Sequence, residues 1–136
     1  MPEAARVVRA RPLSPHLQIW RWHITMACSI LHRASIFAIY FGLLLLSAWT
    51  LSLAAGPQAY LTYIGVVGSP LGLLILFGVS VMLFFNLAYN IRQAFWDMGK
   101  GFELKIADAT SWACIAFALV AAVVLWAGLI IAGAFQ

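Results

Sequence analysis

The sequence has few charged residues. Of its 136 residues, 9% are charged and 65% are hydrophobic. A soluble domain of this length needs much more polar surface to cover its core. The shortage of charge therefore excludes an ordinary soluble domain and indicates a chain that lies largely in lipid.

Cysteine is also scarce, with two residues in the chain. Cys28 and Cys114 are far apart and lack the C-x-x-C spacing of metal-binding pairs. We therefore expect no metal ligands and no iron–sulfur cluster within this chain.

The net charge of +4 could suit a nucleic-acid partner. The positions of the basic residues explain this charge by membrane topology, so we expect no nucleic-acid partner.

Three long apolar runs fill most of the sequence. Residues 34–54, 71–91 and 109–135 carry no charged side chain, and each is about as long as the 20 residues that a helix needs to cross a bilayer. They predict an all-α membrane protein with three transmembrane helices over about residues 29–54, 71–96 and 109–135. We assign residues 1–22 to an N-terminal cytoplasmic segment, with a helix start at Ser14-Pro15, and residues 23–136 to one transmembrane domain.

The basic residues give the orientation. All eight lie before the first span, at its edge, or in and beside the connection between spans two and three. The connection over residues 56–69 and the C-terminal end have none. Because cytoplasmic segments collect Lys and Arg, we expect a cytoplasmic N-terminus and a multi-pass protein of the inner (cytoplasmic) membrane.

A hydroxyl and a guanidinium lie together where the first span begins. Ser29 and Arg33 are four residues apart and therefore share one helix face. Both donate hydrogen bonds and would suit the oxygens of a quinone whose tail stays in lipid. The alternative is that Arg33 extends to lipid headgroups while Ser29 bonds to its own helix. The spacing alone leaves both open.

The second polar group is a stripe along span two: Asn86, Asn90, Gln93 and Asp97. Their spacing puts them on one helix face. Lipid cannot satisfy amides, so the stripe should face protein, a cofactor or water. The simpler alternative is a set of ordinary hydrogen bonds between helices.

Three motifs resemble one family. Arg11–Trp20 is similar to the signature RPLSPHLxIY, Ser29–Arg33 to SxxHR, and residues 91–101 to the end of GIRHLxWDxGKG. These are motifs of the cytochrome b subunit of succinate dehydrogenase, a membrane anchor of respiratory complex II. The resemblance covers nearly the whole chain and places the motifs in the family's order.

The resemblance implies an electron-transfer subunit that is not catalytic alone. Its partners would be a flavoprotein subunit, an iron–sulfur subunit and a second hydrophobic anchor, which would complete the helical bundle. Ser29 and Arg33 would then bind ubiquinone. Trp96 and Asp97 would support the quinone site or the docking surface, and His32 would lie beside the propionates of a bound haem b.

The sequence departs from the family pattern at the residues that would surround a haem. The family's axial histidine stands six residues before the arginine of GIRH, and that position here is Asn86. Asn90 and Gln93 replace the motif's glycine and second histidine, and Ile36 replaces a glycine that follows SxxHR. An amide is a poor iron ligand compared with imidazole. We therefore predict that this chain supplies no axial ligand, although the family binds haem b.

Two other classes of function are weaker. A purely structural anchor, without a working quinone or haem site, is disfavoured because Ser29 and Arg33 are both present. A transporter or channel would need polar groups through the full depth of the membrane. The direction of the reaction, succinate oxidation or fumarate reduction, stays open.

Overall fold

The structure, a computed structural model, describes residues 20–133 as four helices. They are α1 (Ile24–Ala55), α2 (Pro57–Val67), α3 (Pro70–Asp97) and α4 (Leu104–Ile131). Between residues 20 and 133 there is no strand, and α1, α3 and α4 are each long and apolar enough to cross a membrane. The predicted all-α fold with three spans is confirmed.

The helix bounds differ from the predicted ones at several points. α1 begins at Ile24, well before residue 29, and α4 ends at Ile131, where Gly133 has a positive φ of 73°. The connection between the first two spans holds α2, which was not predicted; Pro57 begins it directly after Gly56. The predicted helix start at Ser14-Pro15 and the first nine residues of the Arg11–Trp20 motif lie outside the described residues.

Helix α3 packs against both α1 and α4 and is the centre of the bundle. The side of α4 that faces inwards carries small residues at helical spacing, which let the helices approach closely. These buried residues of α4 are Ala107, Ser111, Cys114, Ala118 and Ala122. The core next to them holds Cys28 of α1 with Phe85 and Tyr89 of α3. It therefore lies in the half of the bundle that contains the α3–α4 turn.

The turn between α3 and α4 is closed by the residues of the third motif. Gly99 and Gly101 have φ values of 75° and 84°, in the left-handed region that favours glycine. Trp96 Nε1 donates a hydrogen bond to the Gly101 carbonyl at 3.2 Å, and its ring stacks on Phe102. The motif therefore has a structural role: it reverses the chain in six residues between the two spans.

Replacing Gly101 by alanine should destabilise this turn by about 1 kcal/mol, because a side chain there is held at positive φ. The added methyl would meet neighbours at ordinary distances of 3.6 Å or more, so backbone strain is the main cost. Gly78→Ala is the control: Gly78 lies within α3 with open space around it. Thermal unfolding should show a lower midpoint for Gly101→Ala and an equal or higher one for Gly78→Ala. If Gly101→Ala and the unaltered protein had equal midpoints, the positive φ at residue 101 would not disfavour alanine there, which would contradict this prediction.

Candidate quinone and cofactor site

Ser29 and Arg33 lie in the first three turns of α1, near the α3–α4 turn end of the bundle. Ser29 is half-buried and Arg33 is exposed. Neither side chain makes a hydrogen bond with another residue between 20 and 133. Their donors thus remain available to a ligand or a partner.

His32 lies between them on the helix but faces the interior. Its ring stacks on Tyr89 of α3 with centroids 4.2 Å apart and planes at 19°. Its Nε2 atom is buried and has no hydrogen-bond partner among residues 20–133. His32 therefore contributes to α1–α3 packing and keeps one polar atom unsatisfied within the described part of the chain.

Asn86 joins α3 to α1. Its Nδ2 donates to Ser35 Oγ at 2.9 Å, and its Oδ1 accepts from Asn90 Nδ2 at 2.8 Å. Ser35 is fully buried and donates in turn to the His32 carbonyl at 2.7 Å. We call the side chains of Ser35, Asn86 and Asn90 the amide chain. Within the part of the chain that the structure describes, both of these Asn86 hydrogen bonds are made inside the chain itself.

Ser35, which the sequence analysis did not single out, should be needed for this arrangement. Ser35→Ala would leave a half-buried amide of Asn86 without its acceptor, at a cost of about 0.6–2 kcal/mol. Ser47→Ala is a matched control, because Ser47 is exposed on the same helix and bonds to its own Leu43 carbonyl at 2.8 Å. The midpoint of thermal unfolding in detergent should fall for Ser35→Ala and stay unchanged for Ser47→Ala. A fall of the same size in both variants would leave the amide chain without a stabilising role.

The rest of the polar stripe continues beyond the amide chain. Gln93 Nε2 lies 3.4 Å from Asp97 Oδ1, a long hydrogen bond one helical turn away. Asn90, Gln93 and Asp97 are exposed in the isolated chain. The four side chains therefore do form one stripe on α3, paired in i, i+4 steps, with most of its area open.

The residues around Asn86 do not fit a haem that needs an axial ligand from this chain. Both ends of the Asn86 carboxamide are already engaged, and a carboxamide offers no imidazole nitrogen. The adjoining cavity has a volume of about 220 Å³ and is lined by Ile36, Ile39, Tyr40, Leu43 and Asn86. Ile36 and Asn86, two of the departures from the family pattern, thus lie in the same small cavity.

Arg92 is the polar residue whose role sequence reasoning missed. Its side chain is 5% exposed and points towards α4, where Nε donates to Thr110 Oγ1 at 3.0 Å and Nη2 to the Ala107 carbonyl at 3.1 Å. Its guanidinium lies 3.8 Å from the centroid of the Trp96 ring, within range of a cation–π interaction. A basic residue inside an apolar helix was a signal for such a role.

Trp96 and Asp97 are neighbours in the sequence, but their side chains have different surroundings in the structure. Trp96 packs on Arg92 and closes the α3–α4 turn, which gives it a structural role. Asp97 is exposed at the end of α3 beside Gln93. Of this pair, Asp97 is the side chain that is exposed in the isolated chain.

The fold and these polar residues define a class: a multi-pass helical membrane protein with a polar stripe near one end of its bundle. Residues 8–125 match the family described as the succinate dehydrogenase/fumarate reductase transmembrane subunit. The chain belongs to this family.

Two bacterial relatives match this chain over most of their length, and a mitochondrial relative matches over part of its length. The succinate dehydrogenase cytochrome b556 subunit of Rickettsia felis is 33% identical over 120 residues, which cover 88% of this chain and 94% of the relative. The protein of that name from Paracoccus denitrificans is 37% identical, covering 83% and 87%. The mitochondrial cytochrome b560 subunit of Mus musculus is 37% identical over 98 residues, covering 69% of this chain and 57% of the relative. The recognised family is thus confirmed.

Proposed function

We propose that this chain anchors succinate dehydrogenase to the inner (cytoplasmic) membrane and helps to reduce ubiquinone there, without supplying an axial ligand to a haem. Its N-terminus would be cytoplasmic, on the side where the flavoprotein and iron–sulfur subunits dock. A second hydrophobic anchor would complete the bundle. The chain itself would not be catalytic outside this complex.

The observation that carries the quinone part is the pair Ser29 and Arg33. They lie one helical turn apart on α1, and no described residue uses their donors. A hydroxyl and a guanidinium can both donate to carbonyl oxygens of a quinone ring, and the guanidinium bond is the stronger because it is charge-assisted. Other subunits would supply the remaining walls of the site, since Arg33 is exposed and Ser29 is half-buried in the isolated chain.

The amide chain supports the haem part of the proposal. With Asn86 bonded to Ser35 and Asn90, the position where relatives would place an imidazole links α1 to α3 instead. Electrons from the iron–sulfur subunit would then reach the quinone directly, because Ser29 and Arg33 would lie on the side where that subunit docks.

Docking of the soluble subunits is supported by polar groups at the same end of the bundle. Asp97, Lys100 and Glu103 are exposed at and around the α3–α4 turn. Large apolar side chains along α1, among them Phe37, Tyr40 and Leu44, are also exposed in the isolated chain and would meet the second anchor or lipid. Each surface thus has an occupant in the proposed complex.

Affinity purification of the tagged full chain from its own membranes tests this proposal. We expect a flavoprotein, an iron–sulfur protein and a second hydrophobic subunit to copurify, with succinate-dependent quinone reduction. A complex that reduces soluble artificial acceptors but not quinone would favour the structural-anchor alternative. Recovery of a stable chain with no partners would contradict the proposed function as a whole.

A further inference from the structure

Helices α1 and α3 run antiparallel in one register. Three pairs of residues touch across their interface: His32 with Tyr89, Ser35 with Asn86, and Gly42 with Val79. Each step forward along α1 from one pair to the next is matched by an equal step back along α3. Continuing this register by four residues from the first pair brings Gln93 of α3 level with Cys28 of α1. Gln93 therefore lies at the membrane depth of Ser29, which follows Cys28.

Ser29 and Gln93 also lie on the same side of the two helices. Ile36 of α1 and Asn86 of α3 line one shared cavity on that side. Ser29 precedes Ile36 by seven residues and Gln93 follows Asn86 by seven, and seven residues make almost two full helical turns. The placement of Ile36 and Asn86 is therefore repeated by Ser29 and Gln93, about 10 Å nearer the α3–α4 turn. We call the furrow between these four side chains the α1–α3 groove.

The Gln93 carboxamide has hydrogen-bonding capacity to spare. Among residues 20–133, its hydrogen bond from Nε2 to Asp97 Oδ1 is long at 3.4 Å, and the side chain is exposed. A carboxamide has two N–H donors and an acceptor oxygen, and lipid satisfies none of them. Gln93 therefore favours a polar ligand or partner in the α1–α3 groove.

The α1–α3 groove becomes apolar towards the membrane interior. There it widens into the cavity of about 220 Å³, which is lined by Ile36, Ile39, Tyr40, Leu43 and Asn86. Both ends of the Asn86 carboxamide are already engaged, so this part of the groove offers mainly hydrocarbon. The groove is thus polar at Ser29 and Gln93 and apolar further in. A membrane quinone has the same polarity, because its ring carries carbonyl oxygens and its tail is hydrocarbon.

We propose that Gln93 is a quinone-binding residue and that the α1–α3 groove holds the quinone along its length. This inference rests on the quinone site proposed at Ser29 and Arg33. Gln93 would donate a hydrogen bond from α3 to the ring that Ser29 and Arg33 bind from α1, and the tail would run inwards to the cavity beside Ile36. Continuity with Ser29 and Arg33 selects this occupant, and a neutral amide suits an uncharged ring because it brings no charge that burial would leave unpaired.

Replacing Gln93 by leucine tests the ring contact in the purified complex. We expect kcat/KM for ubiquinone to fall about threefold to tenfold, mainly through KM, which is the range of one neutral hydrogen bond. Gln58→Leu is the matched control, because Gln58 is an exposed glutamine on α2, at the opposite end of the spans, and it should leave the kinetics unchanged. Succinate oxidation with a soluble artificial acceptor should keep its rate in both variants, which shows that the complex is assembled.

Replacing Ile36 by phenylalanine tests the tail. The larger side chain fills part of the cavity and changes no charge. KM should rise at least threefold for a ubiquinone with an isoprenoid tail and stay unchanged for the tail-free ubiquinone ring. Leu53→Phe is the control, because Leu53 is exposed near the far end of α1 and does not line this cavity. It should change neither KM.

Three results would count against the inference in different ways. If Gln93→Leu and Gln58→Leu had equal quinone kinetics while Arg33→Ala was impaired, Gln93 would not bind quinone and the site at Ser29 and Arg33 would stand. An equal effect of Ile36→Phe on the tailed and tail-free quinones would overturn the placement of the tail. A complex that reduces the soluble acceptor but no quinone would overturn this inference together with the proposed function.

Discussion

Quinone reduction by the Arg33→Ala variant of the complex is expected to fall about tenfold to a hundredfold in kcat/KM. A charge-assisted hydrogen bond contributes about 1.5–3 kcal/mol when it is buried, and each 1.4 kcal/mol corresponds to a factor of ten. Arg33 is exposed in the isolated chain, and the proposed complex would bury it against the quinone and the iron–sulfur subunit. Ser29→Ala should have a smaller effect, because a neutral hydroxyl forms a weaker bond.

The measurement compares two electron acceptors in one preparation. Succinate oxidation with a soluble artificial acceptor should keep its rate in both variants, since that reaction bypasses the membrane site. Arg21→Ala is the matched control, because Arg21 is an exposed arginine that precedes α1. Unchanged quinone kinetics in both Arg33→Ala and Ser29→Ala would return these residues to the alternative roles of headgroup contact and helix bonding.

Replacing Arg92 by alanine should destabilise the chain by about 3 kcal/mol. The variant loses two charge-assisted hydrogen bonds to α4 and the stacking of the guanidinium on Trp96, each worth on the order of 1 kcal/mol or more. Relief from burying an unpaired charge offsets part of this loss. The midpoint of thermal unfolding of the purified complex should therefore fall clearly.

Arg92→Lys separates the charge from the geometry. Lysine keeps the cation but has no planar group to lie on Trp96 and no forked donors for Thr110 and Ala107, so its midpoint should lie between those of alanine and arginine. If alanine at position 92 left the midpoint unchanged, the contacts from Arg92 to α4 would not stabilise the bundle.

The three spans could be predicted from the sequence because lipid imposes a simple requirement on length and charge. The absence of charge over residues 34–54, 71–91 and 109–135 was sufficient. Helix α2 was missed, since its residues connect two spans and it is shorter than a span. Residues 56–69 were taken only as a connection, although Pro57 also suits the first turn of a new helix.

For the polar residues, the sequence predicted which side chains share a helix face but not which residues of other helices they contact. Helical spacing correctly grouped Asn86, Asn90, Gln93 and Asp97, but it could not show that Ser35 on another helix would accept the bond from Asn86. The role of Arg92 was missed because its contacts depend on Ala107 and Thr110 of α4, which a single helix pattern does not reveal. The role of Ser29 and Arg33 stays a prediction, because the rest of that site would come from other subunits.

The most direct test of the central claim is a reduced-minus-oxidised optical spectrum of the purified complex, with the haem signal scaled to its flavin content. A pocket whose axial position is Asn86, held by Ser35 and Asn90, predicts no stoichiometric low-spin b-type haem in a complex that still reduces quinone with succinate. One low-spin b haem per flavin would contradict the account.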